Sequence, residues 1–143
     1  MTAPVVTVAD TCDDGFVALL SAGLDRFNID ATGTDDETPL AVPVTDPATG
    51  RVLGGIAGRT SLGVLFIDLF YLPPELRGSG LGSAMLAQAE QEGRRRGCRT
   101  GVLYTISFQA PAFYARHGWL TFGEIPCEPP GTRRVFMTKT LDA

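Results

Sequence analysis

The sequence has one histidine, His117, and three cysteines, Cys12, Cys98 and Cys127, none of them in a CxxC pair. Protein zinc sites are built from several cysteine and histidine ligands at short spacings. The pattern therefore predicts no metal centre, and we expect the cysteines to be reduced and mostly buried. A catalytic Cys98–His117 pair is the alternative, although no local motif supports it.

Long apolar runs and an excess of positive charge are also absent. The longest apolar stretches, such as 64–72, are interrupted by Asp68 and are far shorter than the roughly 20 residues of a membrane span. Residues 1–14 have neither the basic start nor the apolar core of a signal peptide. The net charge of -4 argues against nucleic acid as a partner. We expect a cytoplasmic protein with no membrane and no nucleic-acid partner.

What is present is the composition of an ordinary globular protein. The 143 residues are 44% hydrophobic and 20% charged, which predicts one domain, 1–143, that folds on its own. The predicted strands are 5–8, 40–45, 52–59, 62–72, 99–105, 119–125 and 134–141. Helical spacing predicts helices after Asp13, from Leu81 to a stop at Gly97, and over 108–116. The order β-α-β-β-β-α-β-α-β-β indicates an α+β fold, a mixed and mostly antiparallel sheet with helices on both faces.

A glycine-rich loop, RGSGLG at 77–82, joins the end of a predicted strand to the start of a predicted helix. Alternating glycines let backbone N–H groups approach a bulky anion, and the free amides of a helix's first turn point the same way. The loop therefore predicts a phosphate or pyrophosphate site. It lacks the Lys-Ser/Thr ending of a P-loop and the spacing GxGxxG. The alternative is a glycine-softened loop that opens an ordinary helix.

The string R-x-x-G-x-G, the segment LFYLPPELRGSGLG and the downstream AFYARHGW resemble the acetyl-CoA signature of the GNAT superfamily of N-acetyltransferases. The resemblance covers about residues 40–141. It implies that acetyl-CoA is a co-substrate and that strands 62–72 and 99–105 splay apart around its thioester. It implies that Phe70, Tyr71 and Leu72 bind the pantetheine arm through their backbone. It also implies a pyrophosphate site formed by Arg77, Gly78, Ser79, Gly80, Leu81, Gly82 and Ser83.

The same resemblance places Tyr114, in FYARHGW, near the cofactor sulfur. A phenol with a pKa of about 10 can donate to a departing thiolate whose conjugate acid lies near 8.5, because the proton moves only as the C–S bond breaks. The alternative is that Tyr114 packs under the sheet like its neighbour Phe113. For His117 there are two alternatives, a surface or helix-capping role and a role as a base.

The sequence departs from the commonest GNAT pattern at two places. Many members have an asparagine after the strand that corresponds to 99–105, whereas Ser107 and Gln109 stand there in this chain and are the expected cofactor contacts. Many also have a glutamate base on the central strand, whereas the acid in 62–72 is Asp68. Asp68 is thus the candidate base, with a structural carboxylate and deprotonation through water as alternatives.

Together these features predict an enzyme that transfers an acetyl group directly to a primary amine of a small molecule or peptide, without a metal or a covalent intermediate. The alternative is a non-catalytic acyl-CoA sensor or interaction domain, and a homodimer is left open. Segment 28–39 is predicted to be an exposed loop, and its acids favour a cationic acceptor, with a merely solvated loop as the alternative. These acids are Asp30, Asp35, Asp36 and Glu37.

A cluster of arginines, Arg94, Arg95, Arg96 and Arg99, lies where the second predicted helix should end. Cations there complement the negative end of the helix dipole. A contact with the nucleotide phosphate of the cofactor is the alternative.

Overall fold

The computed structural model describes residues 2–142. The chain divides into two compact units, one that ends at Asp35 and one that begins at Asp36. A single functional domain over 1–143 stays a prediction. Of the helices in residues 2–142, none combines the length and the apolar character that a membrane span requires.

The first unit contains one helix, α1 (Asp14–Thr32). Asp13 caps it as predicted, because its carboxylate accepts a hydrogen bond of 2.8 Å from the Phe16 N–H. Gly33 ends it in the left-handed conformation. The predicted loop over 28–39 is wrong in its first part, since α1 continues through Thr32, and in its last part, since a strand begins at Glu37.

The predicted strand at 5–8 is also wrong, because residues 2–9 have no regular secondary structure. A strand requires a hydrogen-bonding partner, and within residues 2–142 none of the strands pairs with this segment. Its valines are 85–99% exposed. The observed order therefore begins with a helix, α-β-β-β-α-β-α-β-β.

The second unit is built on a six-stranded sheet with the order β1-β2-β3-β4-β6-β5. The strands are β1 (Glu37–Thr45), β2 (Val52–Ser61), β3 (Val64–Tyr71), β4 (Thr100–Ile106), β5 (Leu120–Cys127) and β6 (Thr132–Thr140). Only the β3–β4 pair is parallel in this sheet of residues 37–140. The prediction of a mixed, mostly antiparallel sheet is confirmed.

Two helices complete this unit, α2 (Leu81–Arg95) and α3 (Pro111–Arg116). The buried residues of α2 include Met85, Leu86 and Ala89, which face the core of the sheet. The two helices contact each other, since Ser83 of α2 hydrogen-bonds the residue that follows α3. Both therefore pack on the same face of the sheet, and helices on both faces stay a prediction. α3 begins at Pro111, whose ring suits a first helical turn.

A buried ion pair connects α2 with β6. Glu90, with a side chain 6% exposed, accepts a hydrogen bond of 2.6 Å from Lys139 Nζ. Its other carboxylate oxygen accepts from the indole N–H of the fully buried Trp119 at 3.2 Å. Buried charges require such partners because they have lost their hydration.

We expect Lys139→Met to lower the free energy of unfolding by about 3 kcal/mol, because it leaves the Glu90 carboxylate buried without its closest cation. The matched control is Arg95→Met, which breaks the ion pair between Arg95 and Glu92. The Arg95 side chain is 71% exposed. The control should unfold at nearly the wild-type denaturant concentration. Equal destabilisation of the two variants in chemical denaturation would contradict the importance of burial.

The arginine cluster lies at the carboxyl end of α2. Arg96 donates to the backbone carbonyls of Thr38 and Pro39, and hydrogen bonds from Arg95 and Arg96 lower the pKa of Glu92 to about 2. The 15 residues of α2 separate this end from the glycine loop by about 22 Å. These contacts support the interpretation that the arginine cluster stabilises the end of a helix.

Candidate active site

A cleft opens where β3 and β4 stop pairing. Their parallel register ends at Ile67 opposite Leu103, although both strands continue beyond these residues. The space between them is a cleft of about 820 Å³, within the range of small-molecule sites. The predicted splay of the two strands is therefore present in the structure.

A β-bulge lies at the start of the splay. Between β2 and β3 the register shifts so that Asp68 has no partner of its own on β2. Gly58 lies opposite the bulge, and a Cβ atom there would overlap the carbonyl oxygen of Phe66. Only glycine allows this close approach of the two backbones. A glycine inside a strand pattern is the sequence signal that could have located the bulge.

The backbone of β3 beyond the bulge pairs with β2 on one side only. Phe70 and Tyr71 lie opposite Ile56 and Gly55 of β2, whereas neither pairs with β4. An extended ligand can therefore add to β3 as a short strand and hydrogen-bond its backbone. The Leu72 carbonyl accepts a hydrogen bond of 2.8 Å from Arg77 Nε, which ties this segment to the glycine loop.

The glycine loop forms one end of the cleft. Gly78 and Gly80 have φ angles of 81° and 85°, and a Cβ atom on either would meet no atom within 4 Å. Gly80 is the N-cap of α2 and lies, with Gly78, Gly82 and Ser83, in the cleft wall. The left-handed backbone, the open space and the uncapped first turn of α2 fit a bulky anion.

Two predicted loop residues do not line the cleft with their side chains. Ser79 Oγ donates to the Leu76 carbonyl at 3.2 Å, and Leu81 packs against the core. Two arginines, Arg77 and Arg116, do line the cleft and bring positive charge to it. Arg116 was not predicted, and its only sequence signal is its place in FYARHGW.

Tyr114 forms part of the cleft wall and is 7% exposed. Its ring makes edge-on contacts with Phe70, Phe113 and Trp119, so it packs in the core as the alternative prediction proposed. Within residues 2–142, no group hydrogen-bonds its hydroxyl. Burial raises the pKa of Tyr114 to about 12, so the phenol keeps its proton at neutral pH. The side chain combines packing with a free donor in the cleft.

Asp68 also lines the cleft, with a side chain 48% exposed. Arg59 Nη1 lies 2.8 Å from both of its carboxylate oxygens. The same guanidinium stacks on the Phe66 ring at 4.3 Å and lies 3.9 Å from Glu37. Asp68 is thus in the same cleft as Tyr114 but is already engaged in an ion pair.

Ser107 and Gln109 shape the turn after β4. Ser107 Oγ accepts a hydrogen bond of 3.0 Å from the Arg133 N–H. Gln109 Oε1 accepts from Thr105 Oγ1 and from the Ile106 N–H at 3.1 and 3.0 Å. Only Gln109 of the two lines the cleft within the described chain. Their contact with a cofactor stays a prediction.

His117 caps the end of α3, which supports the capping role. Its Nε2 lies 2.9 Å from Ser83 Oγ, so its hydrogen bond goes to serine rather than to Cys98. Cys98 is buried, and burial raises the pKa of its thiol, which disfavours a nucleophilic thiolate. The structure thus gives no support to a Cys98–His117 pair.

Comparisons with known proteins agree with these features. The model of the acetyltransferase (GNAT) family matches residues 11–119. The acetyltransferase Atu2258 of Agrobacterium fabrum is 29% identical over 82% of this chain and 85% of its own length. The blasticidin-S acetyltransferase of Streptomyces morookaense is 38% identical over 64% of this chain and 68% of its own. A crystal structure of a candidate acetyltransferase from Agrobacterium tumefaciens has a TM-score of 0.86 and 26% identity, and covers 96% of this chain and 99% of the other.

Proposed function

Because this chain belongs to the GNAT family of acetyltransferases, we propose that it transfers an acetyl group from acetyl-CoA directly to a primary amine. The observation that carries the proposal is one cleft that contains both the glycine loop at the uncapped start of α2 and a free phenol donor. For the acceptor we propose a small molecule, since one relative acts on blasticidin S. A peptide amine is the second candidate.

The cofactor would lie along β3 and end at α2. The backbone of Phe70, Tyr71 and Leu72 would hold the pantetheine arm on the free side of β3. The amides of Gly78, Gly80 and the first turn of α2 would hold the pyrophosphate. Arg77 and Arg116 would neutralise its charge.

When bound, acetyl-CoA supplies the activated thioester and a thiolate leaving group. Tyr114 donates a hydrogen bond from its phenol to the sulfur position as negative charge develops there. Asp68, in the same cleft, receives the proton of the attacking amine, either directly or through water at its exposed edge. Direct transfer of this kind uses neither a metal nor an acyl-enzyme.

A cationic acceptor is the further part of the proposal. Glu37 and Asp68 flank the single guanidinium of Arg59, so this group of three side chains carries one excess negative charge, and its Asp68 lines the cleft. Asp35 and Asp36 precede Glu37 in the chain. Clustered acids raise the local concentration of a cation, and salt screens this effect.

The test is thiol release from acetyl-CoA over a panel of neutral, singly charged and multiply charged amines. We expect turnover with at least one primary amine and a preference for multiply charged acceptors. Binding of acetyl-CoA without turnover of any amine would refute the proposed transfer reaction and favour a sensor.

The same panel of amines tests the proposed preference for a cationic acceptor. The protein used is the triple variant Asp35→Asn, Asp36→Asn, Glu37→Gln. These amides keep acceptor oxygens, including the one that Asp36 presents to the Leu62 N–H. We expect the Michaelis constant to rise severalfold for multiply charged amines alone, and less so at high salt. The control variant neutralises Glu124, Glu128 and Asp142, which makes the same change in net charge at residues that do not line the cleft and lie far from 35–37 in the sequence. An equal effect in both variants would refute local attraction.

A further inference from the structure

A hydrogen bond joins the two helices that border the cleft. Ser83, the third residue of α2, lines the cleft, and its Oγ lies 2.9 Å from His117 Nε2. His117 follows α3 directly, three residues after Tyr114, and is not among the lining residues of the cleft. Ser83 therefore stands between the proposed pyrophosphate site and the imidazole.

Both the backbone and the ring of His117 are held in place. The backbone N–H of His117 donates to the Tyr114 carbonyl at 2.9 Å, and its backbone carbonyl accepts from Lys139 Nζ at 2.7 Å. Its ring packs against the Phe113 ring with the centroids 4.9 Å apart. Lys139 is itself bound to the buried Glu90 of α2. These contacts give Nε2 a defined position against the Ser83 hydroxyl.

A serine hydroxyl within a helix commonly turns back to a carbonyl of the preceding turn. The Ser83 hydroxyl instead has a nitrogen partner on the neighbouring helix. When the N–H of Nε2 donates to it, the oxygen accepts and its own O–H remains available as a donor. That proton can then be directed to an anion beside the first turn of α2.

We propose that His117 is a positioning residue for the cofactor, because it orients the Ser83 hydroxyl to donate to the pyrophosphate of CoA. This inference rests on the proposed function. Loss of one hydrogen bond to a charged group weakens binding by about tenfold or somewhat more. Pantetheine lacks the pyrophosphate, so its affinity should not depend on this pair.

The experiment compares the dissociation constants of CoA and pantetheine by protein-observed NMR titration, which also measures weak binding. In His117→Ala we expect CoA to bind about tenfold more weakly and pantetheine to bind within about twofold of the wild type. Ser83→Ala should show the same loss, and the double variant should show no further loss. His117→Gln, whose amide N–H can donate from a similar position, should recover most of the CoA affinity.

Equal weakening of both ligands would identify a structural role for His117 and overturn the inference. So would unchanged CoA affinity in either single variant, or additive losses in the double variant. If the wild-type protein does not bind CoA at all, the proposed function itself fails, which separates the two failures.

Discussion

We expect the Gly80→Val protein to fold and to bind acetyl-CoA about 10²-fold more weakly than the wild type, or worse. Gly80 has a φ of 85° in open space at the start of α2, so the valine side chain would occupy the anion cradle. The loss of two hydrogen bonds to phosphate corresponds to a factor of this size. Calorimetric titration with acetyl-CoA measures it directly.

The matched control is Gly50→Val. Gly50 has a φ of 74°, and a Cβ atom there also meets no atom within 4 Å, but it lies in the turn between β1 and β2. Both variants place a branched residue in the left-handed region and should lose about 1–3 kcal/mol of stability. Only Gly80→Val should lose the cofactor. Wild-type affinity for acetyl-CoA in a folded Gly80→Val protein would show that the glycine loop does not bind the cofactor.

Replacement of Tyr114 by phenylalanine should lower kcat by about 10²-fold with little change in the affinity for acetyl-CoA. The ring keeps its contacts with Phe70 and Trp119, whereas the donor that acts on the developing thiolate is lost. Stopped-flow or steady-state thiol release gives kcat, and calorimetry gives the affinity. Full activity of the Tyr114→Phe enzyme would show that the hydroxyl is not needed and that Tyr114 has only a packing role.

Burial of the phenol has a consequence for pH dependence. The pKa of Tyr114 is about 12, compared with about 10 in an unfolded chain. The folded state therefore keeps the proton more strongly, and this stabilisation is complete below pH 10 and lost as the pH rises through 12. At pH 11 the wild type should have lost about 1.4 kcal/mol of unfolding free energy relative to Tyr114→Phe. Identical pH profiles of chemical denaturation for the two proteins would contradict the raised pKa.

The same value changes the interpretation of the chemistry. A phenol with a pKa of about 12 is a weaker acid than the sequence-based value of about 10 implied. Its role is therefore to donate a hydrogen bond while charge develops on sulfur, with proton transfer late in bond cleavage. We also expect no loss of kcat through ionisation of Tyr114 below about pH 11.

Features that depend on neighbouring residues could be predicted from the sequence. The N-cap at Asp13, the glycine loop and the start of α2 follow from local backbone preferences and helical spacing. The predicted strand at 5–8 and the predicted loop over 28–32 and 37–39 were wrong, because local patterns do not show whether a strand has a partner or where a helix stops.

The sequence by itself determined the order of elements from β1 onward and the glycine loop that opens α2, because each rests on residues within a few turns of one another. The expectation that Tyr114 shares a cleft with this loop came from the resemblance to the GNAT family, since the two are far apart in the sequence. The tertiary structure decided the rest. The bulge at Asp68 requires β2 against β3, and the Ser83–His117 and Glu90–Lys139 contacts join residues 34 and 49 positions apart. No local pattern encodes such pairs, because packing of the helices on the sheet is what brings them within hydrogen-bonding distance.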